Sequence, residues 1–175
     1  MISVAVLGYG TVGSGVVEVF RQNQEKIDRC AGDQVRIKYV LDLRDFPEDP
    51  VQELIVHDFE KIVSDESVDI VVEVMGGLEP AYTFVKRSLE AGKNVVTSNK
   101  ALVAAHGAEL LKIAKENHVN YLFEASVGGG IPIIRPLVSS LTADEIEEIT
   151  GILNGTTNYM MNKMFYEGAD YDEVL

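Results

Sequence analysis

The feature that most constrains the fold is Gly8-Tyr9-Gly10-Thr11-Val12-Gly13, a G-x-G-x-x-G run. It follows the apolar, β-branched stretch Ile2 to Leu7 and opens a segment, Thr11 to about Ala31, whose apolar residues recur at helical spacing. The order is therefore strand, tight turn, helix. The first glycine permits the turn, the second lets a pyrophosphate come close to the backbone, and the third lets helix pack on strand. The first-turn amides of the helix then face the anion. In that position the run predicts dinucleotide binding by Gly8, Gly10, Thr11, Val12 and Gly13 rather than a turn that serves packing alone.

Downstream the chain alternates between strand and helix patterns. Val35 to Leu41 reads as a second strand, followed by the charged stretch Asp42 to Asp45 and a loop carrying Pro47 and Pro50. Asp42 stands where a carboxylate would hold a ribose 2′-hydroxyl, although it lies further past the motif than the roughly 20 residues usually found. Arg44 could instead hold a 2′-phosphate, so NAD and NADP both remain open, and either side chain could be a solvated loop charge. Phe59 to Val63 reads as a short helix. Val68 to Val74 is an apolar run interrupted only by Asp69 and Glu73, as in a strand buried on both faces. A helix from Pro80 to Ala91 ends before Gly92, Asn94 to Thr97 is a strand, Lys100 to about Asn117 a helix, and Asn120 to Glu124 a strand. This alternation predicts an α/β fold, a Rossmann-type doubly wound parallel sheet. Gly128-Gly129-Gly130 and Pro132 mark a boundary, giving a dinucleotide-binding domain over 1–130 and the opening of a second α+β domain over 131–175. The latter is expected to hold a helix over Ile133 to Leu141, a strand over Ile146 to Leu153 and a helix over Thr156 to Glu167. A lone strand is not a domain, so the rest of its sheet must come from another chain or from residues outside this sequence.

Composition narrows the function. With 28 acidic residues against 15 Lys and Arg, the formal charge of −13 argues against a nucleic-acid partner. The first residues resemble no signal peptide, and glycines 8, 10, 13 and 15 break the uncharged stretch over residues 2–17 where a membrane span would be uniformly apolar. Cys30 is the sole cysteine, which excludes an internal disulfide and fits a reducing cytoplasm. His57, His106 and His118 form no triad or metal pattern and read as surface or helix-packing residues.

Four further segments carry a resemblance. They are Met75-Gly76-Gly77 before Glu79-Pro80, Val95-Val96-Thr97-Ser98-Asn99-Lys100-Ala101-Leu102, the run Glu124-Ala125-Ser126-Val127-Gly128-Gly129-Gly130-Ile131-Pro132-Ile133-Ile134, and Gly151-Ile152-Leu153-Asn154-Gly155-Thr156-Thr157-Asn158-Tyr159. Together with the N-terminal glycine loop, in this order, the sequence resembles the homoserine dehydrogenase family. The resemblance implies NAD- or NADP-linked interconversion of L-homoserine and L-aspartate 4-semialdehyde, in the biosynthesis of threonine, methionine and isoleucine. It implies that Lys100 is the catalytic lysine and, with Gly76 and Ser98, a cofactor contact. It implies a monovalent, sodium-like cation held by the Glu124 side chain and the carbonyls of Val127, Gly129 and Ile131, an oxygen set that suits a hard ion; an ordinary glycine-rich turn would look the same. Asn154, Gly155 and Thr156 are expected at the substrate end of the cleft, with Thr156 equally readable as a helix cap.

Family members continue past Leu175 through a substrate and dimerisation domain, where a second active-site lysine and an acidic substrate contact would lie, and the full-length protein is expected to be a homodimer. The chain therefore reads as a dehydrogenase cut short or as a non-catalytic dinucleotide-binding module. A related dehydrogenase acting on aspartate is disfavoured by Gly151 to Asn158.

Overall fold

Strand β1, Ile2–Leu7, lies at the centre of the sheet in a computed structural model that describes residues Met1–Leu175. Its alternation explains why the sheet is covered on both sides: Ala5 and Leu7 enter one hydrophobic core, Val4 and Val6 the other. Helix α1 (Thr11–Ala31) leads to β2 (Val35–Leu41), a 3₁₀ turn (Pro50–Leu54), β3 (Ile55–Val56), α2 (Glu60–Val63) and β4 (Ile70–Glu73). Then come α3 (Ala81–Glu90), β5 (Asn94–Thr97), α4 (Lys100–Glu116) and β6 (Tyr121–Leu122). All pairings are parallel and the strand order is β3-β2-β1-β4-β5-β6. The chain reverses direction across the sheet between β1 and β4, the place where an open α/β sheet leaves a crevice beyond its strand ends.

The two cores are unequal. Val17 of α1 packs with β1 and β2 residues in the smaller one, whereas Ile62, Val85, Leu89, Leu102 and Leu110 carry α2, α3 and α4 onto the other face. Asn99 caps α4, its side chain accepting from the Leu102 amide. Pro80, read as a first-turn residue, stands one position earlier as the cap of α3 and follows a cis peptide bond from Glu79.

Beyond β6 follow α5 (Ala125–Gly128), α6 (Ile134–Ser140), α7 (Gly155–Glu167) and α8 (Tyr171–Val174). The strand expected over Ile146 to Leu153 is not formed: these residues are irregular and exposed. Their apolar and polar residues mix as in a strand, but no neighbouring strand is present to complete a hydrogen-bonded ladder. No residue from 131 to 175 is buried, so this segment adds no core of its own. No helix is long and apolar enough to cross a membrane.

Candidate dinucleotide-binding site

The glycine turn lies at the carboxyl edge of β1. Gly8 has φ +102°, and its tight bend brings it against Met75, whose Cα would sit 3.2 Å from a Cβ added there. A Cβ on Gly13 would fall 1.9 Å from the Gly8 carbonyl oxygen, so this glycine is required for α1 to pack on the turn. Gly10 differs: a Cβ there meets no atom within 4 Å. Gly10 is the N-cap of α1 and supplies no side-chain cap, and the first turn holds no acidic residue. The orphan amides at this helix start are thus left for an anion, with no carboxylate within the first turn itself to repel it. Thr11 and Val12 are exposed in that turn.

A cleft of about 520 Å³ opens at this edge. Gly8, Gly10, Asp42, Arg44 and Gly76 line it, together with an apolar wall of Met75, Phe59 and Phe84, the two rings stacked at 4.1 Å. Asp42 and Arg44 act as one unit. Asp42 Oδ1 accepts from Arg44 N and Nε, both at 3.0 Å, Oδ2 accepts from Arg44 Nη2 at 3.1 Å, and Arg44 Nη2 also donates to the Tyr9 carbonyl at 3.1 Å. Oδ2 further accepts from the Tyr9 amide at 2.8 Å, which ties the end of β2 to the glycine turn. The Arg44 side chain, then the backbone amides, hold the Asp42 carboxyl far below the usual carboxylate range. Asp42 is 10% exposed and Arg44 61% exposed, so the guanidinium is the outer face of the pair. Tyr9 itself turns its ring onto Phe46 and donates to Asp49 at 2.8 Å, and burial, then Asp49, push its phenol up to about 12.

Ser98 and Lys100 stand beyond β5 on the same edge of the sheet, Ser98 half-buried and Lys100 exposed at the first position of α4; neither lines the cleft. The α4 first turn carries no acidic residue.

Glu124 takes up a structural task. Its Oε1 accepts from the Ile133 amide and, at 2.9 Å, from Ile134, while Oε2 accepts from Arg135 at 2.8 Å. The carboxylate thereby caps α6, and these amides, Ile133 foremost, lower its pKa. No group of three or more His, Cys, Asp or Glu side chains is arranged to hold a metal ion. Asn154, not Thr156, is the N-cap of α7, because the side-chain oxygen that accepts from the Thr157 amide at 3.0 Å belongs to the residue three positions earlier. Gly155 and Thr156 follow it inside the exposed first turn, and none of the three lines the cleft.

Two residues with no role assigned from the sequence belong to this site. His57 lines the cleft; its Nδ1 lies 2.7 Å from the Asp42 carbonyl and its Nε2 3.2 Å from Asp45. Glu73 at the end of β4 is completely buried beneath the edge. A carboxylate interrupting an apolar strand at its carboxyl end was the available signal for the second. For the first there was none, since the two-residue β3 that delivers His57 carries no recognisable period.

Comparisons with known proteins agree with this geometry. Residues 8–124 match the family "Homoserine dehydrogenase, NAD binding domain" and residues 132–175 match "Homoserine dehydrogenase". The homoserine dehydrogenase of Lactococcus lactis is 43% identical over 182 residues, covering 99% of this chain and 42% of the relative. The crystal structure of a homoserine dehydrogenase from Thiobacillus denitrificans superposes with a TM-score of 0.88 at 42% identity, over 99% of this chain and 41% of that one. A hyperthermophilic archaeal homoserine dehydrogenase solved in complex with NADPH gives 0.80 at 27% identity, over 99% and 59%. The chain spans about two fifths of the length of the curated relatives it matches. A six-stranded parallel sheet, an uncapped glycine turn at its carboxyl edge and matches running from residue 8 to residue 175 together mean that the chain belongs to the homoserine dehydrogenase family.

Proposed function

We propose that this chain supplies the cofactor-binding part of an NAD(P)-dependent enzyme that interconverts L-homoserine and L-aspartate 4-semialdehyde. The observation that carries the reading is the glycine turn, where Gly10 leaves both the space and the amide donors that a pyrophosphate needs. The bound dinucleotide would supply hydride transfer between its nicotinamide and the carbinol carbon. The protein's part is to bind and orient. The first-turn amides of α1 hold the pyrophosphate, the Asp42 and Arg44 unit receives the adenosine ribose, and Gly76, Ser98 and Lys100 flank the nicotinamide end. Lys100, at the first position of α4 on the same sheet edge, handles the hydroxyl proton as hydride leaves. With Arg44 outermost, the 2′ position meets a guanidinium before a carboxylate, which favours NADP.

Asn154, Gly155 and Thr156 belong to the substrate side, which a further domain would close. A monovalent cation would be held by the Glu124 side chain and the carbonyls of Val127, Gly129 and Ile131, an oxygen set that suits a hard ion, and no step is routed through it. The enzyme would work in the cytoplasm as a homodimer, in the synthesis of threonine, methionine and isoleucine. Fluorescence titration with NADPH and NADH tests cofactor binding by these 175 residues, and homoserine oxidation by a chain extended to the relatives' full length tests the reaction. Binding with NADPH preferred, followed by turnover in the extended chain, is the expected result; absence of binding overturns the reading.

A further inference from the structure

Glu73 is a carboxylate with no solvent exposure at the end of an otherwise apolar strand. Such a group is costly to bury unless its oxygens are hydrogen-bonded, and here both are. Oε1 accepts from the Met75 amide at 2.8 Å and the Gly76 amide at 3.4 Å, and Oε2 accepts from the Thr97 hydroxyl at 2.5 Å. Thr97 in turn accepts from the Asn99 amide at 2.9 Å. Asn99 donates through Nδ2 to the Gly77 carbonyl at 2.6 Å and accepts from Leu102. The bonds close a ring that runs from the end of β4 to the start of α4 and back. Thr97 and Asn99 are themselves buried, so water cannot substitute for a missing member.

On one side of this ring lies the Met75–Gly76 wall of the cleft, and on the other the Ser98–Lys100 turn. Asp42 marks the opposite, adenosine end, beyond β2. We propose that Glu73, through Thr97 and Asn99, is a positioning residue that fixes the separation of these two segments and thereby shapes the nicotinamide end of the site, while the adenosine and diphosphate end is held independently by the glycine turn and Asp42. The proposal rests on the dinucleotide reading given above. It adds that one buried carboxylate sets where the β4 and β5 edges stand relative to each other, a job neither edge can do alone because each is a short loop of backbone after a four-residue strand.

The experiment compares NADH, followed by its own fluorescence, with ADP, followed by calorimetry; ADP reaches only the adenosine and diphosphate end. Thr97→Val keeps the shape and removes the hydroxyl, Thr97→Ser keeps the hydroxyl, and Glu73→Gln keeps the shape but leaves one acceptor oxygen, which cannot serve both the Met75 amide and the Thr97 hydroxyl on the opposite side. Thermal melting of each variant accompanies the titrations. Thr97→Val and Glu73→Gln are expected to weaken NADH at least fivefold while ADP stays within twofold, and Thr97→Ser to restore NADH to within twofold of the parent. Equal weakening of NADH and ADP would mean that the ring merely supports the fold, and unchanged NADH affinity in both variants would mean that it positions nothing; either overturns the proposal. Failure of the parent protein to bind ADP would instead remove the dinucleotide reading, and this inference with it.

Discussion

A side chain at Gly10 would project into open space, whereas one at Gly13 would collide with the Gly8 carbonyl. Gly10→Val is therefore expected to lower NAD(P)H affinity by tenfold or more with little change in melting temperature, and Gly13→Val to lower the melting temperature sharply; the reverse pattern would exclude this loop as the phosphate site. At the other end of the cleft, Arg44→Ala removes the outer guanidinium and leaves Asp42 facing the 2′ position. NADPH affinity should fall about tenfold more than NADH affinity, since a charge-assisted hydrogen bond contributes about 1.5–3 kcal/mol. Equal losses would show that Arg44 does not meet the 2′ group. His57 adds a pH dependence. Its hydrogen bond to the Asp42 carbonyl, then Asp45, raise its pKa above 6.5 against the opposing effect of burial. A raised folded value means that the proton stabilises the native arrangement below the unfolded pKa, and that this contribution fades as pH rises through the folded one. The preference for NADPH over NADH should thus be greater, relative to His57→Gln, at pH 6 than at pH 8. Comparing the two proteins cancels the titration of the phosphate itself, near pH 6; identical ratios at both pH values would leave His57 without influence on the 2′ position. Little of this pairing is legible in the sequence, where Asp42 and Arg44 read as competitors for one ribose; the fold joins them into one hydrogen-bonded unit.

Among the elements, those with a strong period were readable and those held by single contacts were not. β1, the glycine turn and α1 follow from β-branching and glycine chemistry alone, and α3 and α4 from their apolar stripes. β3 has two residues and exists because Val40 and Leu41 offer it a ladder, a fact no local pattern encodes. Ile146 to Leu153 shows the converse, a strand-like composition without a partner. The same contrast sets expectations for stability. Leu110 in α4 is fully buried, so Leu110→Ala should cost about 2–5 kcal/mol. Phe165 in α7 is 80% exposed, so Phe165→Ala should stay within about 0.5 kcal/mol. Urea unfolding of the 175-residue chain measures both, and a large loss for Phe165→Ala would mean that α7 packs on the sheet domain.

For the molecule as a whole, every buried side chain lies between residues 3 and 126, and the segment that carries Asn154 to Thr156 contributes no core. These residues should therefore bind dinucleotide yet oxidise homoserine negligibly, because holding the substrate for hydride transfer takes groups from both sides of the cleft. A chain extended to the relatives' length should turn over and lose about 10²–10⁴-fold in kcat on Lys100→Ala, the range of general acid–base catalysis. Robust turnover by the 175 residues alone, or an extended enzyme indifferent to that substitution, would refute this division of labour. Two of the three glycines of the phosphate turn, Gly10 and Gly13, also bear on descent. A lineage that keeps this close approach of α1 to the turn keeps position 13 as glycine, since the Gly8 carbonyl leaves no room for a substituent there, whereas position 10 is constrained only for as long as something is bound. A descendant that retired from cofactor use would drift first at position 10, so the state of that one codon in related genes would record which copies still handle nucleotide and which persist as scaffolds.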